Sequence, residues 1–194
     1  MKGISKFVSY VLIILFGFTI LTFFTTLLYQ YYDKILKTNI DAGLKQVAVE
    51  TTGEITKVYD IGKNSETNPS NASAITIVSI DLKYPEKISG KNYEILLVSS
   101  PGIWTQIKNF QIDNVTITPK KEIISGSKVL VRTTQKPIVT YNLPIPNIPI
   151  YLEGGYRSGE NATLRYVRYN YNGSINDTII LGESSIILSI TKVN

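Results

Sequence analysis

Three patterns of apolar and polar residues follow one another along the chain. From Phe7 to Tyr32 no residue is charged, and residues 7–29 read FVSYVLIILFGFTILTFFTTLLY, apolar on every side of a helix drawn through them. A helix rises about 1.5 Å per residue, so roughly 20 such residues cross a hydrocarbon layer of about 30 Å. A helix buried on all sides in a protein core is the alternative. Lys2 and Lys6 stand before the segment and Asp33 after it, while Tyr29, Tyr31 and Tyr32 suit the headgroup layer. The positive-inside rule then leaves the N-terminus cytoplasmic and the remainder outside.

In the second pattern Tyr32, Leu36, Ile40, Leu44, Val47, Thr51, Ile55 and Val58 recur at spacings of three and four, separated by charged residues such as Asp33, Lys37, Lys45 and Glu54. This is the period of a helix with one apolar face. No proline precedes Pro69, so the pattern predicts one helix from about Ser5 to about Tyr59, with Gly62 as its C-terminal cap. Gly43 and Gly53 mark a bend or a close-packed contact. A coiled coil or plain stalk would show the same stripe.

From about Ser65 the chain turns to β-branched residues, Tyr, Asn, Ser and Thr, with alternation in residues 78–84, 112–117 and 128–132. Further strands are expected over residues 93–99, 164–171, 175–181 and 185–193, with Asn172-Gly173 as a two-residue hairpin turn and Gly182-Glu183 as the next turn. Seven or eight short strands fit a β-sandwich. Pro137, Pro144, Pro146 and Pro149 confine YNLPIPNIPIYL to an edge or loop, because proline cannot donate to a central ladder. That stretch is either a contact surface or a loop packed over one end of the sandwich. The fold class is α+β: a long N-terminal hydrophobic helix followed by an all-β head.

Composition narrows the chemistry. The 194 residues include no His and no Cys, which removes His-based triads, His- or Cys-ligated metals, covalent haem and disulfides. The net charge of +5 falls to +3 (18 basic against 15 acidic residues) once Lys2 and Lys6 are set aside, too mild a balance to argue for nucleic acid. Gly154-Gly155-Tyr156-Arg157-Ser158-Gly159 and Ser125-Gly126-Ser127-Lys128 fit no phosphate-loop pattern and read as turns. Arg165, Tyr166, Arg168, Tyr169 and Tyr171 could clasp a sugar or polyanion, though such alternation is more commonly packing. No reaction and no cofactor are expected. Five Asn-X-Ser/Thr sequons, at Asn71, Asn114, Asn161, Asn172 and Asn176, mark candidate N-glycans on an outward-facing domain.

The apolar run lacks the short hydrophobic region and small-x-small site of a secretory signal. Lys2-Gly3 stands instead directly before Ile4-Ser5-Lys6 and the apolar run, and this resembles the class III signal peptide of archaeal type IV pilins. The leader, the long helix and the sequon-bearing β head together resemble a crenarchaeal pilin or minor pilin, the lollipop in which the helix is stem and the β domain is head. The resemblance implies a leader of residues 1–3, cut by prepilin peptidase between Gly3 and Ile4 (recognition by Lys2, Gly3 and Ile4). It implies a helix of residues 4–61, with 7–29 in membrane and then filament core and 32–60 amphipathic, and a head of residues 62–194. Val8 stands where bacterial pilins carry Glu, so that glutamate's role is not transferred. Core contacts would come from Phe7, Val11, Leu15, Gly17, Phe18, Leu21, Phe24 and Leu28. The implied partners are copies of the chain or other pilins, the assembly machinery, the membrane before assembly, and N-glycans. The implied role is a structural subunit of a surface filament for adhesion or cell-to-cell contact. The alternatives are an anchored β-sandwich of the archaellum stator type that holds the cell-surface layer, and an anchored solute-binding protein, which would need a pocket.

Overall fold

The structure is a computed structural model and describes residues 2–70, 73–99, 111–112, 115–116, 127–145, 148–171 and 173–182, with side chains from Lys6 onward except at 111–112, 115–116 and 171. It has the expected α+β class: one helix, α1 (Lys2–Lys63), followed by strands. The chain divides into two compact units, Met1–Asn39 and Ile40–Asn194.

The first unit is the front of α1. Residue after residue is exposed and apolar, and the helix is long and apolar enough to cross a membrane. Hydroxyls within the apolar run do not interrupt it. Thr19, Thr22, Thr25 and Thr26 each donate to the carbonyl four residues back, at 2.8–2.9 Å, so each polar group is satisfied inside the helix.

The second unit begins with the rest of α1 and continues through β1 (Ser73–Leu82), β2 (Tyr93–Val98), β3 (Gln111–Ile112), β4 (Val115–Thr116), β5 (Lys128–Thr133), β6 (Thr140–Pro144), β7 (Tyr151–Arg157), β8 (Ala162–Tyr171) and β9 (Ser174–Leu181). Seven strands are hydrogen-bonded in the order β1-β8-β9-β7-β2-β5-β6, and β3 pairs with β4 separately. All pairs are antiparallel except β7 with β9. The all-β part is therefore one mixed seven-stranded sheet, with β7 shared between two runs of pairing. Residues 151–154 of β7 pair with β9, and residues 155–157 pair with β2.

The change of partner occurs at Gly154-Gly155, which the sequence reading took for a turn. Gly154 has φ 93°, and a Cβ there would meet the Leu181 carbonyl; at Gly155 it would lie 2.8 Å from the Ile95 carbonyl oxygen. Three backbones converge too closely for any side chain, so the glycine pair sits inside a strand. The alternation in residues 112–117 belongs to two short strands, not one. β8 pairs with β9 with Tyr171 opposite Ser174 and Gly173 in the left-handed region (φ 79°), and the proline-rich stretch supplies β6, which ends the sheet order beside β5. The strand expected over residues 185–193 lies outside the described residues.

One core lies between α1 and one face of the sheet, and on the opposite face Tyr151, Val167, Tyr169, Thr178 and Ile180 are buried as well. From the helix, Ile40, Leu44, Val47, Ala48, Thr51, Ile55 and Val58 are all buried. From the sheet, the in-register face contributes Leu164, Tyr166, Ile179, Leu181, Leu152, Tyr156, Ile95, Tyr93, Val129 and Val131. Each large apolar side chain removed from water contributes about 1.5–3 kcal/mol, so the docked helix is part of the head rather than an appendage to it.

Candidate functional site

Among the described residues two surfaces are candidates for a functional role: the apolar front of α1, and the face of the head opposite the helix. The front offers no chemistry, only shape and solvent preference. Phe7, Val11, Leu15, Phe18, Leu21, Phe24 and Leu28 lie on one broad half of the helix and are exposed, but Phe16, Ile20 and Phe23 on the other half are equally exposed. The structure thus does not single out the residues expected to make core contacts. Gly17 has open space where a Cβ would stand. Lys2, Gly3 and Ile4 occupy the first turn of α1.

The docked part of α1 is held by more than apolar area. The Thr51 hydroxyl lies 2.7 Å from the Val47 carbonyl and 2.7 Å from the Tyr84 hydroxyl, tying the helix to the loop after β1. Tyr84, Tyr156 and Tyr93 pack in series, with ring centroids 5.0 and 6.0 Å apart, and Tyr93 donates to the Pro85 carbonyl at 2.7 Å. At Gly43 an added Cβ would stand 2.5 Å from Ile88 Cγ2, so this glycine marks a close contact and not a bend. Gly62 differs from its expected role. It is absent from the residues with left-handed backbone, and its bare Cα receives the ring of Tyr166.

The cap comes instead from the sheet. Arg168 on β8 donates through Nη1 to the carbonyls of Ser65 (2.6 Å) and Thr67 (3.1 Å), and through Nη2 to that of Gly62 (3.4 Å). Its Nε reaches Asp177 of β9 at 2.8 Å, directly across the ladder. The hydrogen bond to Asp177 holds the guanidinium above its ordinary pKa. A cation among the last carbonyls of a helix also answers the negative end of the helix dipole. Asn170 adds a bond from Nδ2 to the Pro69 carbonyl, so the chain leaving the helix is fastened to β8. In this group Tyr166 and Arg168 serve packing and capping, and Tyr169 is buried. Burial pushes the Tyr169 hydroxyl up to about 12, and raises those of Tyr84, Tyr93, Tyr151 and Tyr166 well above the ordinary tyrosine value.

On the outer face, Glu94 of β2 stands between Arg132 of β5, with which it pairs, and Arg157 of β7 at 3.9 Å. Beside this ladder runs a polar groove of about 620 Å³, lined by Gly155, Glu160, Asn161, Thr163, Arg165 and Gly182. Of the five sequons, Asn161 and Asn176 fall among the described residues, whereas Asn71, Asn114 and Asn172 lie outside them. Asn161 is at the lip of the groove, which nothing in the sequence pattern foretold, because its walls come from two strands, the turn between them and the residue after β9. No protein-family model, no characterised protein and no solved structure matches this chain.

Proposed function

We propose that the chain is a structural subunit of an archaeal type IV pilus-like surface filament, with no catalytic activity of its own. The observation that carries this reading is the change of character within α1. Its front is apolar all round and exposed, and its back is apolar on one face only and fully docked. A plain anchor needs the first part alone. A filament subunit needs a front that passes from lipid into a bundle of identical fronts, and a folded head on the same chain. The Arg168 cap and the close contacts at Gly43 and Gly62 hold the back of α1 within that head. In this reading Lys2-Gly3 is removed before Ile4, the head faces outward with N-glycans on its sequons, and the filament serves adhesion or contact between cells.

The test is the intact mass of the protein from sheared surface material of the native cells. A chain beginning at Ile4 and recovered in filaments is the expected result. A chain that keeps Met1, or one cut beyond Tyr29, removes the pilin reading. A chain that stays in the membrane fraction of cells bearing normal filaments points to the anchored stator-type alternative.

A further inference from the structure

Asn161 stands in the turn between β7 and β8, two residues after Gly159, whose backbone is left-handed (φ 93°). Its side chain is exposed and makes no hydrogen bond among the described residues. The hydroxyl of its sequon partner, Thr163, lies on the surface and donates to Asp81 at 3.0 Å, a bond that water or a peptide-binding enzyme can replace. The other described sequon is built differently. Thr178 is fully buried and donates to the Tyr151 carbonyl, and the middle residue, Asp177, is the partner of Arg168. Reading Asn176 in the folded head would require breaking both.

The groove next to Asn161 has a particular composition. Its floor is bare backbone at Gly155 and Gly182, where neighbouring carbonyls leave no room for a side chain. Its walls offer the Glu160 carboxylate, the Thr163 hydroxyl and the Arg165 guanidinium. Arg165 bonds the Gly182 carbonyl through Nη2, while its Nε is buried with no hydrogen-bond partner among the described residues. The groove itself is of small-molecule size and is bordered by the Arg165 side chain. Sugar hydroxyls both donate and accept, which suits walls that hold donors and acceptors side by side.

We propose that this groove seats the first sugars of an oligosaccharide attached to Asn161, with sugar hydroxyls meeting the Glu160 carboxylate and the Arg165 guanidinium at its walls. The proposal rests on the outward-facing head of the reading above, not on filament assembly. In the attachment step Nδ2 of Asn161 bonds to the anomeric carbon of a sugar carried on a lipid phosphate. The carbon–oxygen bond to that phosphate breaks, the lipid phosphate leaves with the electron pair, and one amide proton passes to a base of the transferring enzyme. The seated glycan covers the Gly155–Gly182 floor at the point where β7 changes partners.

The experiment uses the full chain from its native cells, as the parent and as Asn161→Gln, Arg165→Gln and the double variant. It combines glycopeptide mapping, hydrogen exchange of residues 155–165, thermal midpoints and protease shaving of intact cells. The expected result is a glycan on Asn161, slower exchange over residues 155–165 in the parent than in Asn161→Gln, and a loss of about 2–4 °C on Asn161→Gln that shrinks toward zero when Arg165 is already Gln. The exchange comparison stands even where Arg165→Gln folds poorly. A bare Asn161 on a head that external protease removes overturns the inference and leaves the filament reading intact. A modified Asn161 with unchanged exchange and additive midpoints means a glycan standing in solvent, and overturns the seat. A head protected from external protease overturns the outward topology on which both readings depend.

Discussion

Leu15 and Leu44 are the same residue in the same helix, yet the first is 57 % exposed and the second fully buried. Around Leu15 no neighbour on the helix surface is charged, and the one hydroxyl, that of Thr19, is turned back onto the Leu15 carbonyl, so no face is marked for burial. Around Leu44 the charged residues Asp41 and Lys45 leave one stripe, and that stripe meets the sheet. The difference shows how one secondary structure serves two solvents. Where apolar residues go all the way round, the helix demands lipid or other helices; where they keep to a stripe, it demands a single partner surface, which the chain itself provides.

The sharpest way to break this comparison is to place the same charge in both halves. Leu44→Asp puts an unpaired carboxylate into the packed core and is expected to cost about 4–5 kcal/mol, enough to unfold most of the head. Leu15→Asp is expected to leave the head's cooperative unfolding unchanged, while costing about 3 kcal/mol in membrane insertion. Chemical denaturation followed by the near-ultraviolet signal of the buried tyrosines, with a membrane-extraction assay alongside, reads both. Equal effects on head stability would show that the two halves are not independent.

The next test removes the cap. Arg168→Met keeps the length of the side chain but leaves Asp177 without its cation, and the carbonyls of Gly62 in α1 and of Ser65 and Thr67 just beyond it without their donor. Breaking a buried pair from one side costs about 3–5 kcal/mol. The loss should appear first as faster hydrogen exchange over residues 58–70, because the helix end frays before the sheet opens. Uniform exchange across the head would instead mean that Arg168 acts through the core as a whole.

Much of this architecture is legible in the residues themselves, and the exceptions share a cause. The stripe from Ile40 to Val58 is buried as its period requires, and β8 turns back onto β9 at the place the sequence marks for a two-residue turn. Gly154-Gly155 was misread because glycine serves turns and close backbone crossings equally, and only the pairing of β7 with both β9 and β2 tells them apart. Arg168 as a helix cap was out of reach for a similar reason. Its partners lie more than a hundred residues away in the chain, at Gly62, Ser65 and Thr67, and no local pattern joins them. The groove beside Asn161 is likewise assembled from segments distant in sequence.

A smaller effect separates the head from the front by pH. The hydroxyls of Tyr84, Tyr93, Tyr151, Tyr166 and Tyr169 are raised in the folded state by burial. An acid whose folded pKa lies above its unfolded value near 10 keeps the folded state protonated while the unfolded state ionises. Their contribution is complete below pH 10 and is lost as pH rises above it, through about 12 for Tyr169, at up to about 1.4 kcal/mol per pH unit for each tyrosine. Denaturation midpoints should therefore be flat from pH 7 to 9 and fall steeply above pH 10, with tyrosinate absorbance appearing together with unfolding. Tyrosinate appearing ahead of unfolding would place these hydroxyls in contact with water.

The smallest change within a single chain is the most informative about assembly. At Gly17 a Cβ would meet nothing within 4 Å, so Gly17→Phe costs the isolated subunit no packing and adds apolar area to a segment already suited to lipid. Insertion and head stability should both stay within about 0.5 kcal/mol of the parent. Whatever cost appears must come from a second helix brought close, since association among apolar helices depends on van der Waals fit at small residues. With Gly17→Phe as the sole copy in cells and membrane insertion verified, filament number is the readout. A sharp fall beside normal insertion assigns the exposed front to contacts between copies. Undiminished filaments would remove Gly17 from the contact face, and a parent protein that forms no filaments would leave the front as a lipid anchor and the docked half as the brace of a lone head.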